Sequence, residues 1–319
     1  MNKIVSLGEL IIDFTSVGHN GLKDTKEFIK NAGGAPANLC AQVAKLGGRA
    51  VYLSSVGNDG FGDFLIESLK KANIDTNYIK KSSEYDTSLA FVSLKEDGNR
   101  EFKFYRKNAA DLNFNVSDFE NISFDEGDIF EFGSVALNSE SSVLTHNYLI
   151  EKAKNSKAII AFDPNIRLNL WSDHEALKDI CISYIKKSNI VKISDDELPF
   201  ITNILEESKA VDFIFSLGVD VLLLSRGSKG ASLFLKNNKQ INSTPYKVNC
   251  IDSTGAGDSF FGGFLYTILE QNVTVNNINE YQKFDYSLDF AERCGAYTTT
   301  GLGAIAAMGN LEEIKGMVK

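Results

Sequence analysis

Short apolar runs alternate with longer amphipathic segments along the chain, and this alternation predicts a repeated β-α-β organisation. Apolar runs of this length are typical of strands that are buried on both faces of a parallel sheet. The predicted strands cover residues 4–7, 51–56, 129–132, 158–162, 190–193 and 221–224. The pattern therefore predicts an α/β fold with a mostly parallel central sheet.

The segment after residue 35 contains signals for the start and the end of a helix. Pro36 occupies a plausible first helical position, and Leu39, Val43 and Leu46 recur at the spacing of one helix face. Gly47 follows as a C-terminal stop signal. We therefore predict a helix that begins near Pro36 and packs on the sheet through these apolar residues.

One region interrupts the β-α alternation. Residues 87–94 and 101–106 are β-rich and flank a polar segment whose centre, Asp97, Gly98 and Asn99, is a turn signal. We expect a β-hairpin there, outside the parallel sheet, in a small accessory sheet. An antiparallel extension at the edge of the main sheet is an equally good interpretation of the sequence.

The chain has 319 residues, a length that corresponds to about two domains of average size. Its four prolines are scattered, and no Gly/Ser-rich linker or charge block divides it. The sequence therefore predicts one continuous domain over residues 1–319.

Composition excludes several classes of protein. Lys and Arg number 33 against 42 Asp and Glu, giving a net charge of −9 that disfavours a nucleic-acid partner. The four cysteines are isolated in sequence, so neither a disulfide scaffold nor a structural zinc site is expected. No apolar run reaches the roughly 18 residues of a membrane span, and Glu9 interrupts the apolar N-terminal stretch. We expect a soluble cytoplasmic protein.

The most informative segment is Asp-Ser-Thr-Gly-Ala-Gly-Asp at residues 252–258, which precedes an apolar helical pattern. Small side chains let successive backbone N–H groups point at one spot, and a helix N-terminus adds partial positive charge, so this segment can bind an anion. Asp258 would lie in the first turn, where a carboxylate can accept a proton from an attacking hydroxyl. A helix cap is the alternative role for Asp258.

Other glycine-rich segments differ in what they indicate about packing and ligand binding. Gly262 and Gly263 lie within the predicted helix, where glycine is unfavourable, and indicate that another element packs closely there. A second small-residue turn at 225–230 follows a predicted strand at the carboxyl edge, where α/β sheets bind ligands. No GxxxxGK[ST] motif occurs, and the GxGxxA sequence at 301–306 lacks the β-α-β context of a dinucleotide site.

Taken together, these motifs make the chain similar to the PfkB, or ribokinase-like, carbohydrate kinases, and within that family it most resembles fructokinases. Residues 252–258 resemble the C-terminal signature, 33–38 the N-terminal double-glycine motif and 56–62 the segment that follows it. The resemblance implies a three-layer αβα sandwich with a small β-sheet lid. We expect two excursions from the core, at about residues 10–33 and 87–107, to form this lid.

The resemblance also implies a division of roles among site residues. Asp258 corresponds to the catalytic base, and Gly255, Ala256 and Gly257 to the anion hole. The residues implied in substrate binding are Asp13, Gly33, Gly34, Asn38, Arg106 and Arg167. Those implied in ATP binding are Ser194, Ser225, Gly227 and Gly230, together with Gly255 and Gly257. Glu197 corresponds to an indirect Mg²⁺ ligand, while Asp252 and Thr254 resemble a monovalent-cation site for K⁺.

The expected activity is ATP-dependent phosphorylation of a primary hydroxyl on a free hexose, with D-fructose converted to fructose 6-phosphate. Within the kinases the alternatives are 2-keto-3-deoxygluconate kinase and then ribokinase or nucleoside kinase. From other classes, a catalytically silent sugar-binding sensor or a nucleotide-binding oxidoreductase remains open. The expected partners are a sugar and ATP, with a homodimer through the lid as a further candidate.

Overall fold

The computed structural model describes residues 2–18, 21–94 and 100–318, and its strands form two sheets. Nine strands pair in the order β13-β12-β11-β10-β9-β8-β1-β4-β5, and four pair in the order β3-β2-β6-β7. The strands are β1 (Lys3–Leu7), β2 (Ile11–Ser16), β3 (Phe28–Gly33), β4 (Arg49–Gly57), β5 (Ile79–Ser82), β6 (Ser88–Leu94), β7 (Arg100–Tyr105), β8 (Ile129–Gly133), β9 (Ile159–Asp163), β10 (Ile190–Ser194), β11 (Val221–Ser225), β12 (Ala231–Leu235) and β13 (Gln240–Asn242).

The large sheet is parallel from β5 to β11, and only β12 and β13 run antiparallel at one edge. Each of the six strands predicted from apolar runs is present in its parallel part. The prediction of a mostly parallel α/β sheet is therefore confirmed.

Helices cover both faces of this sheet and complete a three-layer αβα arrangement. The helices are α1 (Gly21–Asp24), α2 (Ala35–Lys45), α3 (Gly60–Lys71), α4 (Glu140–Asn155), α5 (His174–Ile185), α6 (Glu197–Thr202), α7 (Glu207–Ser216), α8 (Ala256–Glu270), α9 (Phe284–Thr298) and α10 (Leu311–Lys315). Short 3-10 helices lie at Ala110–Leu112, Val116–Asp118, Leu168–Leu170, Gly227–Lys229 and Ile278–Glu280. No helix within the described ranges has both the length and the apolar character that a bilayer crossing requires.

Two apolar cores result from the alternation of side chains along the buried strands. In β1, Ile4 packs into the core beneath α2, α8 and α9, whereas Val5 and Leu7 pack into the opposite core beneath α4 to α7. All three side chains are fully buried. Burial on both faces explains why these strands are apolar throughout rather than alternating with polar residues.

Close helix packing on the first face brings the starts of α2 and α8 together. A Cβ atom on Gly262 would lie 2.9 Å from the carbonyl oxygen of Leu39 in α2, and one on Gly263 would lie 2.5 Å from Sγ of Cys294 in α9. Both separations are too short for a real side chain. The close packing predicted from these two glycines is therefore confirmed.

The hairpin predicted after residue 87 belongs to the smaller sheet. Strands β6 and β7 pair antiparallel, and β6 also pairs with β2, which in turn pairs with β3. The structure therefore excludes the alternative of an edge extension on the main sheet. The predicted turn centred on Asp97, Gly98 and Asn99 lies outside the described residues.

Candidate active site

Polar residues collect at the carboxyl edge of the large sheet, where its parallel strands end. Asp163, Ser194 and Ser225 are the last residues of β9, β10 and β11, and Glu9 lies two residues beyond β1. Ser194 and Ser225 are register partners. Parallel strands end at one edge, so residues that are far apart in sequence meet there.

The centre of the site is a hydrogen bond between two helix starts. Asn38 in the first turn of α2 donates from Nδ2 to Oδ2 of Asp258 in the first turn of α8, at 2.8 Å, although the two residues are 220 positions apart in sequence. Oδ1 of Asn38 is buried and finds no hydrogen-bond partner among the described residues. Burial raises the pKa of Asp258, while Asn38, Lys192 and Arg167 oppose that rise.

The turn before α8 has the features of an anion-binding helix start. Gly255 adopts a left-handed conformation with φ of +76°, and a Cβ there would lie 2.6 Å from Cβ of Ala304. Ala256 and Gly257 then open a helix of 15 residues, whose first N–H groups have no partner within the helix. This turn can bind an anionic group beside Asp258.

The paired glycines at the end of β3 allow two backbone segments to meet. Gly34 has φ of +119°, and a Cβ there would overlap the carbonyl oxygen of Glu9 in the β1–β2 connection. A Cβ on Gly33 would overlap the carboxylate of Asp13. The double glycine therefore leaves room for the Asp13 carboxylate and the Glu9 carbonyl, so that the small sheet can lie close to the core.

Asp13 lies among like charges. Burial raises its pKa to about 7, and the carboxyls of Glu9 and Asp258 contribute in the same direction, while Arg167 opposes them. Burial likewise raises the pKa of Glu9 to about 7, against the effect of Arg106 and of the backbone N–H of Ala35. Near neutral pH both carboxyls are therefore partly protonated, and each can donate as well as accept a hydrogen bond.

Sequence reasoning missed three buried carboxyl groups and one lysine around Asp258. Glu9, Glu131, Asp163 and Asp258 line a cavity of about 10 Å³, the space of one water molecule. Lys192 donates from Nζ to Oδ2 of Asp163 at 2.8 Å. The missed signal was a charged residue inside an apolar run, because two of the predicted strands contain Glu131 and Lys192.

The start of α6 places Glu197 at the same edge. Its Oε1 accepts from the backbone N–H of Ile166 at 2.7 Å, and its Oε2 accepts from that of Ser194 at 2.9 Å. The Ser194 hydroxyl in turn accepts from the backbone N–H of Glu197 at 3.3 Å. Ser194 therefore orders this turn, and each carboxylate oxygen of Glu197 keeps a free lone pair.

Asp252 and Thr254, the candidate cation ligands, hold two loops together. Oδ1 of Asp252 accepts from the backbone N–H of Thr254 at 2.9 Å and from its hydroxyl at 2.6 Å, and Oδ2 accepts from the backbone N–H of Gly303 at 3.0 Å. In the described part of the chain, no three His, Cys, Asp or Glu side chains cluster as metal ligands.

The two predicted substrate arginines lie in different environments. Arg106 is 6 % exposed, donates from Nε to Asp111 at 2.8 Å and from Nη1 to the Val135 carbonyl at 2.8 Å. Its Nη2 is buried and finds no partner among the described residues. Arg167 is exposed and contacts the carbonyl of its neighbour Ile166, while its charge acts on Asp13 and Asp258.

The predicted nucleotide turn lies beside Ser194. Ser225 ends β11, and the 3-10 helix Gly227–Lys229 follows it. Gly227 and Gly230 both have positive φ. The 301–306 segment is a turn between α9 and α10 with no strand before it, which agrees with our rejection of a dinucleotide motif there.

Comparison with known proteins identifies a family for this chain. Residues 1–310 match the family described as pfkB family carbohydrate kinase. The chain is 36 % identical to fructokinase-2 of Zea mays over 310 residues, which cover 96 % of this chain and 91 % of that protein.

Solved structures agree with the sequence comparison. A fructokinase double mutant from Vibrio cholerae O395, with fructose, ADP and potassium ion bound, superposes with a TM-score of 0.89 at 29 % identity and covers 99 % of this chain and 98 % of its own. Fructokinase from Xylella fastidiosa with bound ATP gives a TM-score of 0.89 at 30 % identity, with the same coverage.

Proposed function

Because the chain belongs to the pfkB family of carbohydrate kinases, we propose that it transfers the γ-phosphoryl group of ATP to the primary hydroxyl of D-fructose, forming fructose 6-phosphate. The observation that carries this proposal is the position of Asp258, which combines a proton acceptor with an anion-binding helix start. Asn38 fixes that carboxylate at 2.8 Å. This geometry supports phosphoryl transfer to a hydroxyl.

In the proposed reaction, Asp258 accepts the proton of the sugar hydroxyl as its oxygen attacks the γ-phosphorus. The new O–P bond forms while the bond to the β-γ bridging oxygen breaks, and ADP leaves. The N–H groups at Gly255, Ala256 and Gly257 stabilise the negative charge on the transferring group. Holding hydroxyl, base and phosphate in line supplies much of the acceleration.

The sugar lies between the core and the small sheet in this proposal. Asp13 and Asn38 bind its hydroxyls, and the unpaired Oδ1 of Asn38 is available to accept one of them. Gly33 and Gly34 let the sugar approach the backbone closely. Arg167 faces the phosphate from the exposed side of the site.

We propose that Arg106 donates a hydrogen bond to the sugar from the core side of the site. Its buried Nη2 is the one guanidinium nitrogen for which the described residues provide no acceptor, so it can donate to a substrate oxygen. Asp111 and Val135 fix the other end of the guanidinium.

ATP binds at the adjoining turns. Ser194, Ser225, Gly227 and Gly230 bind the nucleotide, with Gly255 and Gly257 at its terminal phosphate. Glu197 suits Mg²⁺ as an indirect ligand, since its oxygens are hard donors with lone pairs left for bound water. When bound, Mg²⁺ neutralises charge on the phosphates. Asp252 and Thr254 carry the oxygen donors proposed for K⁺, and the hydrogen bonds between them hold this turn together.

The small sheet would act as a lid and as a contact between two copies. It presents exposed apolar side chains at Ile29, Phe102 and Tyr105, and its edge strands are β3 and β7. Edge strands with apolar side chains favour pairing with another copy. Light scattering coupled to size exclusion should give a dimer mass, and Phe102→Ser should shift it towards the monomer.

We also propose that the protein acts in the cytoplasm, where thiols remain reduced. Its cysteines are free thiols, and Cys40, Cys181 and Cys294 are buried.

A substrate panel tests the activity directly. ADP release is measured by a coupled assay with fructose, 2-keto-3-deoxygluconate, ribose and a nucleoside as separate acceptors. We expect turnover with fructose to exceed that with the other acceptors by at least about tenfold in kcat/KM, a difference of about 1.4 kcal/mol. Preference for the keto acid would refute the fructose assignment, and sugar binding without ADP release would favour the sensor.

A further inference from the structure

Lys192 occupies a position that a charged residue rarely takes. It is the third residue of β10, a central strand of the sheet, and its side chain points to the same face as Ile190, which is fully buried. Lys192 itself is only 6 % exposed. Removing an ammonium group and its partner carboxylate from water costs several kcal/mol for each ion, so the pair with Asp163 is a poor source of stability.

The ammonium also lies against the start of α8. A Cβ on Gly257 would be 3.4 Å from Nζ of Lys192. A helix N-terminus carries partial positive charge, and a cation there is unfavourable unless anions compensate. Asp163 at 2.8 Å is one such anion. Glu197 and Asp258 also act on the ammonium as anions. Carboxylates of the site itself therefore hold the cation beside the turn that can bind an anionic group.

We propose that Lys192 is a positioning residue for phosphoryl transfer: held by Asp163 beneath Gly257, its fixed positive charge keeps Asp258 ionised and favours the transferring phosphate at the 255–257 turn. This inference rests on the proposed function. It assigns the Lys192–Asp163 pair an electrostatic role at the site, beyond the packing of β9 against β10.

The charge balance around the pair is consistent with this role. Burial alone would lower the pKa of Lys192, but Asp163 and Glu197 outweigh it and hold the pKa above its usual value, so the side chain is cationic at neutral pH. Lys192 in turn opposes the rise that burial causes in the pKa of Asp258. Asn38 of α2 and Arg167 after β9 also act on Asp258. The charge of Asp258 in turn raises the pKa of Asp13 in β2, Glu131 in β8 and Asp163 in β9.

Three variants separate an electrostatic role from a structural one: Lys192→Met, Asp163→Asn and the double variant. We expect Lys192→Met to lower kcat about 100-fold at pH 7, comparable to the loss of an oxyanion-hole donor, and to shift the acidic limb of the kcat/KM profile to higher pH. Asp163→Asn removes a like charge near Asp258 and should shift that limb to lower pH. Both single variants should lower the melting temperature.

The double variant removes both buried charges, so it should recover melting temperature relative to Lys192→Met without recovering kcat. Because it removes both members of the pair, it leaves neither of them buried alone and can be compared with the wild type where Lys192→Met does not fold; its kcat should then stay about 100-fold below the wild-type value. Recovery of kcat together with melting temperature would overturn the proposal, as would a shift of both single-variant limbs in the same direction.

The chain provides a matched control pair at the opposite end of the sheet. Lys3 at the start of β1 forms a buried ion pair with Asp128, also at 2.8 Å. Lys3→Met should lower the melting temperature and leave the pH profile unchanged, and a shifted profile would contradict a specific role for Lys192. Wild-type ADP release with fructose reports on the proposed function, whereas only the differences among variants report on Lys192.

Discussion

Replacing Asn38 with leucine tests how Asp258, the proposed base, is kept ionised. The variant keeps the branching and the number of heavy atoms of the amide side chain and removes the 2.8 Å hydrogen bond to Oδ2 of Asp258. A hydrogen bond to a charged group contributes about 1.5–3 kcal/mol. One pKa unit corresponds to about 1.4 kcal/mol. The pKa of Asp258, which burial already raises, should therefore rise by a further one to two units or so.

The direction of the expected change in pH dependence follows from the role proposed for the Asp258 carboxylate. In the proposed reaction, Asp258 must be unprotonated to accept the hydroxyl proton, so a higher pKa moves the acidic limb of the kcat/KM profile to higher pH. We expect a shift of about one to two pH units, measured by coupled ADP release between pH 5 and 9. KM for fructose should also rise, by roughly two- to tenfold, since Oδ1 of Asn38 is lost to the sugar.

A buried amide one turn further along α2 provides the control. Gln42 donates from Nε2 to the Gly309 carbonyl at 3.1 Å and accepts from the Ser259 hydroxyl at 2.7 Å. Gln42→Leu removes a buried amide of similar burial without touching Asp258, so it should lower stability and leave the acidic limb in place. An unmoved limb in Asn38→Leu, or an equal shift in Gln42→Leu, would refute the assignment of Asn38.

Three further outcomes are expected. Asp258→Asn should lower kcat by about 10³-fold or more while fructose affinity, measured by calorimetry, changes little; near-normal turnover would exclude Asp258 as the base. Glu9 has a pKa raised from 4.5 to about 7, so its contribution to folding is complete below pH 4.5 and is lost as pH rises to 7. Between pH 5 and 8, the free energy of unfolding of Glu9→Gln should therefore fall by about 3 kcal/mol less than that of the wild type, as measured by urea unfolding followed by circular dichroism. An equal fall in both proteins would contradict the assignment of this pH dependence to Glu9. Gly263→Ala should cost about 1–3 kcal/mol because its Cβ would meet Cys294, whereas Gly60→Ala, with open space around it, should cost little in the same urea assay.

The parallel strands could be predicted because burial on both faces requires a run of apolar residues within each strand. A strand such as β1 must be apolar at successive positions, and the run at 4–7 needs no knowledge of its neighbours. The turn at 255–257 could also be predicted locally, since small residues before an amphipathic segment define a helix start. Neither inference depends on which elements meet in space.

The rest of the site depends on contacts between distant segments. Only the family resemblance points to Asn38, because nothing near it in sequence places Asp258 opposite it. Lys192 and Asp163 are 29 residues apart and meet only because β9 and β10 pair in parallel. A charge inside an apolar run shows that something must compensate it, but the sequence does not tell which residue does so.

The net charge of −9 gives little information about the potential that ATP would meet. Burial raises the pKa of Glu9 and Asp13 to about 7, so these carboxyls carry less negative charge near neutral pH than their number suggests. Lys192 and the start of α8 add positive charge at fixed positions within the same few ångströms of Gly257. Fixed charges in a site shielded from water act more strongly than exposed ones, which ions screen. An acidic protein can therefore bind a polyanion without a basic surface, provided that its own carboxyls are buried enough to remain partly protonated.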